Sequence, residues 1–463
     1  MLTPGLLFPT SSQQTSKIVM CLTGTPDQVS FRVRSGAHSF SGTSFVEDGF
    51  IVDMKRFNLI SVDEERKEAV IGVGNRVGEV YQALEQFELL MVGGDCPDVG
   101  IGGLLSTGGT GYTTRKYGIA INNVINYEIV LASGGIVNAS FTENRDLFDV
   151  LRGSGASSFG IVTCVTASLA PLEAKYALVE IKVQPSSMGE WLQYFFSIAS
   201  SLDENVMFLY SYLMPDYIMI HGAIAGNSFL NKTKQAEIVD SIIDGAEKKS
   251  VTIIENKVIE VSYSDLYLHT YGADALIKAT TPKSTWKRDF RADENDGHVG
   301  IMSGFVCSQD VPLGVFEQLE EHYYNPDTNH ILQSYHLGTN VELFGGEQFP
   351  DDSYGIFMGK GCQGIVTTYP SKTDDQETND EIKEFQQGFW DILRPYTNYS
   401  YRGYEDLSEG RSDNGGQVEL MEFHYGEQKY QAMEVKTKYD PQNFFKNQIS
   451  IPTLDCYEQN VCL

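Results

Sequence analysis

Hydrophobic and polar positions divide the chain into two textures. Up to about residue 171, short runs of alternating apolar and polar residues are separated by glycine-rich turns. They predict strands at Gly5–Pro9, Phe31–Arg34, Gly49–Asp53, Ala69–Gly72, Val124–Ala132 and Ile136–Ala139. A helix is expected over Ser16–Thr23. Another is expected over Val77–Leu90, where Val77, Val80, Leu84 and Phe87 share one face. Residues 146–163 read as a helix stopped by glycine, a loop of small residues, and a strand.

Beyond Pro171 the periodic segments lengthen. A strand is predicted at Tyr176–Val183, a helix at Met188–Leu202, a hairpin over Val206–Ala225 turning at Met214-Pro215-Asp216, a helix at Thr233–Ile243 and a strand at Val251–Asn256. Residues 377–393 place Ile382, Phe385, Phe389 and Ile392 on one helical face. The second half therefore reads as an antiparallel sheet with helices on one side, and the whole as an α+β fold. At 463 residues the chain exceeds one comfortable core, so two domains are expected, with a boundary near Pro171.

Two stretches interrupt these patterns. Residues 92–118 crowd nine glycines around Cys96, and Arg34-Ser-Gly-Ala-His-Ser-Phe-Ser-Gly42 places His38 in a loop of small residues. Such glycine density is costly in backbone entropy and is justified where main-chain amides approach something closely or adopt positive φ. A phosphate-bearing cofactor is the natural candidate; the competing reading is tight turns, a buried free thiol and a solvated histidine. A Rossmann fingerprint fits poorly, because Gly100, Gly102 and Gly103 lack its third glycine and open no clear helix.

Charge and cysteine content narrow the partners. With 34 Lys+Arg against 62 Asp+Glu, the net charge of −28 repels nucleic acid and anionic membrane, which leaves small molecules as the expected partners. No apolar run approaches the roughly 20 residues that span a bilayer, and the first residues lack the pattern of a signal peptide. Seven cysteines are too sparse for a disulfide scaffold, although Cys456 and Cys462 are spaced to close a small loop. Asn138, Asn231 and Asn398 stand in glycosylation triplets, which permit secretion without showing it.

Read jointly, these segments resemble the berberine bridge enzyme-like flavoproteins of the vanillyl-alcohol oxidase group. The matches are Arg-Ser-Gly-Ala-His-Ser (34–39), Cys-Pro-Asp-Val-Gly-Ile-Gly-Gly (96–103), Arg-Lys-Tyr-Gly (115–118), Leu-Arg-Gly-Ser-Gly (151–155), Phe-Gly-Ile-Val-Thr (159–163) and Lys-Tyr-Asp-Pro-Gln-Asn-Phe-Phe (438–445) with the residues after it to Pro452. The resemblance implies a PCMH-type FAD-binding domain over residues 1–172, a substrate domain over 173–425 and a segment over 426–463 that returns to the first domain. It implies FAD attached twice, through the His38 imidazole to the flavin 8-methyl carbon and through the Cys96 sulfur to flavin C6. Arg34, Ser35, Gly36, Ala37, Ser39, Gly100, Gly102, Gly103, Ser106, Gly108, Gly111, Gly160 and Val162 are the further cofactor-binding candidates, and no metal is expected. A monomeric, secreted protein is also implied, and the N-terminus begins later than the family's usual first elements.

Members that oxidise sugars carry a tyrosine in Tyr-x-Asn-Tyr-x-Asp. Here Tyr396-Thr-Asn-Tyr399-Ser-Tyr401 differs at the last residue, and Tyr399 is the candidate base. A tyrosine needs help to act at neutral pH, and Glu342, in Glu-Leu-Phe-Gly-Gly, is its candidate partner. Val99 stands at the family's oxygen-gate position, where valine goes with oxidase behaviour; His424 reads as structural. Ala37 replaces a usual glycine, Ser158 stands near a usual asparagine, and the family's Pro-His-Arg stretch is not recognisable after Gly346, where residues 351–360 stand instead. The leading expectation is oxidation of an anomeric hydroxyl of a mono- or oligosaccharide to a lactone, with O2 reduced to H2O2. Oxidation of an alkaloid or other secondary metabolite, and a flavin-bearing binding protein without turnover, are the alternatives.

Overall fold

The computed structural model describes residues 5–24, 29–39, 42–226, 232–267, 269–270, 302–308, 310–328, 330–332, 338–344, 355–356, 359, 361–369, 375–402, 416–447 and 449–459. Among them three sheets carry the architecture. A small parallel sheet sets Phe50–Asp53 between Gly5–Leu7 and Phe31–Arg34. A second sheet runs in the order Ile60–Asp63, Glu68–Gly72, Gly160–Pro171, Val124–Leu131, Ile136–Ser140, with Leu89–Met91 added to the end of Gly160–Pro171. The third is antiparallel, in the order Ile253–Val261, Lys175–Val183, Ile218–Gly226, Val206–Leu213, Gly338–Leu343, Gly364–Tyr369, Met302–Val306, Thr397–Asn398.

Alternation gives the third sheet two different faces. Val179, Ile181, Leu209, Ile220, Val341, Val366 and Met302 point to a core shared with the helices Met188–Ser197, Lys232–Glu247, Leu313–Tyr323 and Gln376–Leu393. The opposite face contributes Leu178, Phe208, Tyr210 and Ala223 to a core continuous with the first two sheets. Both faces are therefore covered, and the polar residues on the second face are buried.

The chain's end returns to its beginning. Phe444 and Phe445 pack on Phe31, with ring centroids 4.9 and 5.6 Å away. Lys436, fully buried in the helix Lys429–Tyr439, donates to Ser158 O, Asp440 Oδ2 and Phe445 O at 2.6, 2.6 and 2.7 Å.

Several expectations are corrected. The helix beginning at Val77 stops at Glu85, because Glu88 adopts φ 54° and the following Leu89–Met91 pairs as a strand with Leu169–Pro171. The glycine stretch does open a helix, Ile101–Thr107. Tertiary contacts hold it where propensity would not: Tyr127 donates to Leu105 O at 2.6 Å, and Gly155 N donates to Ser106 O at 2.9 Å. Cys307 and Cys362, 55 residues apart, form a disulfide just past the paired ends Val306 and Gly364, a pairing that the spacing of the cysteines did not suggest. Cys456 is also disulfide-bonded, while Cys462 lies outside the described residues. Of the glycosylation triplets, Asn138 and Asn398 are exposed and Asn231 lies outside the described residues. Among the described residues no helix is long and apolar enough to cross a membrane.

Candidate active site

The two interrupting stretches meet backbone to backbone. A Cβ on Gly36 would stand 2.2 Å from Gly100 N, and one on Gly100 would stand 2.1 Å from Gly36 N. Only glycine at both positions allows the loops to cross this closely. Ser35 staples the crossing, donating its hydroxyl to Val73 O at 2.6 Å and accepting from Gly102 N at 3.3 Å. Arg34 anchors the loop's start through a buried ion pair with Asp53 at 2.7 Å, and Ser39 holds its end by accepting from Thr43 N at 3.1 Å.

Ala37 sits between these anchors with φ 63°, exposed. That left-handed conformation costs a side-chain-bearing residue about 1–2 kcal/mol, which explains why glycine is usual in the matching motif. Ala37→Gly is expected to stabilise the protein by roughly 0.5–1 kcal/mol after the extra unfolded-state entropy of glycine is subtracted. Thermal unfolding tests this, and a lowered Tm would refute it.

The remaining glycine-strip candidates do different work. Ser106 donates to Gly102 O at 2.9 Å and accepts from Ala156 N at 3.3 Å, tying the helix Ile101–Thr107 to the small-residue loop at 153–158. Gly103 borders open space, since a Cβ there meets nothing within 4 Å. Gly108, at φ 155°, would drive a Cβ to 2.5 Å from the Tyr401 ring. A Cβ on Gly111 would press the Gly93-Gly94 backbone, and one on Gly160 would press Val130 O, each at 2.5 Å. Val162 is a buried strand residue paired with Ile129.

His38 and Cys96 are both half-buried on these crossing loops. His38 Nε2 stands 3.3 Å from Asp98 Oδ2, and Arg76 ion-pairs with Asp98 through its other oxygen. Cys96 is a free thiol whose pKa burial, reinforced by the Asp95 carboxylate, pushes up to about 12. These residues fit a flavin. The cradle leaves no room for a Cβ where the loops cross, it borders open space at Gly103, and it offers one imidazole and one thiol.

Strand register assembles the facing wall. Cross-strand pairing aligns His221, Tyr210, Glu342, Ile365 and Phe305 in one row on the third sheet's second face. Asn340, two residues from Glu342, lies on the same face opposite Tyr212. Glu342 is 2% exposed; burial and the nearby Asp95 carboxylate push its carboxyl up to about 8, against hydrogen bonds from Thr110 and Tyr210. Tyr210 donates to Glu342 Oε1 at 3.4 Å, whereas Glu342 Oε2, His221 Nε2 and Asn340 Oδ1 are buried without a hydrogen-bond partner. Burial also lowers the His221 imidazole to about 4, so it is neutral.

Tyr399 and Glu342 are not brought together among the described contacts. Tyr399, at φ 48°, lays its ring and hydroxyl over Gly426, where a Cβ would lie 2.8 Å from its Cε1. Tyr401 is the tyrosine of this motif that turns inward. Its hydroxyl accepts from Gly109 N at 2.7 Å, its ring packs on Phe305, and the Glu342 charge is among the influences that, after burial, raise its pKa. His424 is buried with Nδ1 3.4 Å from Ser400 O. The segment in which the Pro-His-Arg stretch was sought lies outside the described residues except for Gly355, Ile356 and Gly359.

Sequence reasoning missed Asp95, Asp98, His221 and Asn340. The two aspartates flank Cys96 and were legible as its neighbours. His221 and Asn340 carried no local signal, because only strand register sets them beside Glu342.

Comparison with known proteins agrees with this geometry. Residues 3–140 match the FAD binding domain family, and residues 400–452 match the family described as berberine and berberine like. Reticuline oxidase of Papaver somniferum is 27% identical over 98% of this chain and 84% of its own length. Among solved structures, a chitooligosaccharide oxidase superposes with TM-score 0.82 at 20% identity, covering 98% of this chain and 92% of that one. A glucooligosaccharide oxidase from Acremonium strictum, whose flavin is described as 6-S-cysteinyl, 8α-N1-histidyl FAD, also superposes at 0.82 and 20% identity, covering 97% and 92%. The PCMH-type FAD-binding fold is shared with them, and the chain carries an FAD binding domain and a berberine-like C-terminal segment and is similar over nearly its whole length to berberine bridge enzyme-like FAD-linked oxidoreductases.

Proposed function

We propose that the protein is an FAD-dependent oxidase that converts the anomeric hydroxyl of a mono- or oligosaccharide to a lactone and reduces O2 to H2O2. The observation that carries this reading is the row on the sheet face. Glu342 Oε2, His221 Nε2 and Asn340 Oδ1 are buried and unpartnered on one sheet face, and unmade hydrogen bonds of this kind cost about 1–3 kcal/mol each. A polyhydroxylated ligand satisfies all three; an apolar one satisfies none.

The flavin would be held through His38 and Cys96, as in the glucooligosaccharide oxidase's described linkage, and would supply a two-electron acceptor. The chain's own residues supply the proton chemistry. Glu342 takes the hydroxyl proton at Oε2, with a pKa near working pH that suits a general base. His221 and Asn340 orient neighbouring hydroxyls. Val99 beside Cys96 is the proposed oxygen gate. The division at 1–172, 173–425 and 426–463, a monomeric state and secretion belong to the same proposal, the last supported by the Cys307–Cys362 disulfide.

Tyr399 remains the base expected from its motif, and its placement over Gly426 separates the two candidates. Tyr399→Phe is expected to retain FAD and slow anaerobic flavin reduction less than Glu342→Gln does. The reverse order would return the role to Tyr399.

The test of the function is anaerobic absorbance titration with cellobiose, glucose, chitobiose and a panel of small alcohols, followed by admission of air. Bleaching by a sugar and rapid return of colour are expected. A second reading has its own observation: Asp95 acts electrostatically on Glu342 and on Tyr81, Tyr112 and Tyr212, a carboxylate and aromatic setting suited to a cationic aromatic alkaloid. Bleaching by such an amine and by no sugar would select it, and sugar binding without bleaching would select a binding protein.

A further inference from the structure

The Asp98 carboxylate lies two residues after Cys96 and reaches the loop that carries His38. One oxygen stands 3.3 Å from His38 Nε2 and the other ion-pairs with Arg76, whose side chain is buried. Arg76 is itself fixed, since its backbone N–H donates to Glu79 Oε2 at 2.7 Å and it forms a bridge with Gly100 at the loop crossing. A carboxylate paired with a guanidinium accepts and does not donate, so the proton of the neutral His38 ring is held on Nε2. That tautomer leaves the ring's lone pair on Nδ1.

We propose that Asp98, held by Arg76, is the positioning residue for flavin attachment at His38. This inference rests on the bicovalent reading above. In the step, the His38 Nδ1 lone pair forms the bond to the flavin 8-methyl carbon, and one methyl C–H bond breaks. Nδ1 gains a positive charge that the Asp98 carboxylate stabilises, and the Nε2 proton then leaves. The two electrons left on the flavin pass to O2, which takes up two protons as H2O2. Hydrogen is lost once from the methyl group and once from the imidazole, so the attached flavin ends oxidised. The arrangement is that of an imidazole whose far nitrogen is held by a carboxylate, the same logic by which carboxylates orient catalytic and metal-bound histidines.

The test uses the full chain made without flavin, incubated aerobically with FAD. Attachment at His38 and at Cys96 is followed separately by peptide mass spectrometry in the native protein, Asp98→Asn, Asp98→Ala and Asp98→Glu. Attachment at His38 is expected to slow about 10- to 100-fold in Asp98→Asn and Asp98→Ala while attachment at Cys96 persists. Asp98→Glu is expected to recover part of the rate, and added formate to recover Asp98→Ala where chloride of equal ionic strength does not. A purely structural role would not respond to formate.

Native rates at His38 in Asp98→Asn and Asp98→Ala would overturn the inference. So would equal slowing at both attachment points in every variant, which would assign Asp98 to folding of the loops. Native protein lacking flavin at His38 is a different result, because it removes the bicovalent reading and the inference with it.

Discussion

Glu342→Gln is expected to slow anaerobic flavin reduction about 10²- to 10⁴-fold without releasing FAD, the range typical for removal of a general base. Among the described residues the carboxyl makes no ion pair, and burial together with Asp95 pushes it up to about 8. A base must be deprotonated, so the native reduction rate should rise with pH through about 8 and level above it, while the Glu342→Gln rate should be flat there. Stability should move the other way. The unfolded carboxyl ionises near 4.5 and the folded one near 8, so between these values the unfolded state binds fewer protons and the native protein loses stability as pH rises. The loss amounts to roughly 5 kcal/mol across the window at about 1.4 kcal/mol per pH unit, and Glu342→Gln should remove it. Chemical unfolding at pH 5 and pH 9 checks this: an equal pH dependence in both proteins would show that Glu342 is not the group responsible. A reduction rate in Glu342→Gln within fivefold of native would exclude it as the base.

Lys436→Met should cost about 3–5 kcal/mol, because it leaves Asp440 as an uncompensated buried charge. Both side chains of the pair are completely buried, and Asp440 also accepts from Phe444 N and Phe445 N at 2.9 and 2.8 Å. The ammonium additionally satisfies Ser158 O, beside the small-residue loop, so one side chain joins the returning C-terminal segment to the cofactor half. The double variant Lys436→Met with Asp440→Asn should recover part of the loss, since the buried charge is gone, and only part because the Ser158 and Phe445 carbonyls still lack the donor they had. Denaturant unfolding followed by far-ultraviolet circular dichroism reads both. A single-variant loss below 1 kcal/mol would mean that water or the unfolded state compensates the exposed charge.

What can be read along the chain is what local chemistry determines. Alternation over 176–183 and 206–225 foretold paired strands because a half-buried strand must alternate, and the turn at Met214 closes as expected, with Met214 N donating to Tyr217 O at 3.0 Å. The glycines at 36 and 100 were legible as a close approach, though their partner turned out to be each other. His38 and Cys96 stood out as candidates through the motifs around them, since taken alone a loop histidine and a buried thiol have ordinary structural readings. The helix at Ile101–Thr107 was not legible, since its glycines oppose helix formation and tertiary contacts from Ser35, Tyr127 and the loop at 153–158 hold it. The Cys307–Cys362 link was hidden for a similar reason, because 55 intervening residues carry no sign that their strands will be neighbours.

The motif around Tyr399 named a region correctly and left the direction of each side chain open. Whether Tyr399 or Tyr401 faces Glu342 depends on a left-handed backbone at Tyr399 and on the packing of Gly426 and Gly108 against the two rings. The row of His221, Tyr210 and Glu342 draws on residues more than a hundred positions apart. The sequence by itself determined the two glycine-bearing loops proposed to cradle the cofactor, because their form rests on residues whose spacing and size are set within short stretches. Only the tertiary structure decided the row of buried polar atoms on the sheet's second face, because strand register is fixed by burying the helix-facing side of the sheet, and the polar atoms on the other side are carried into place with it.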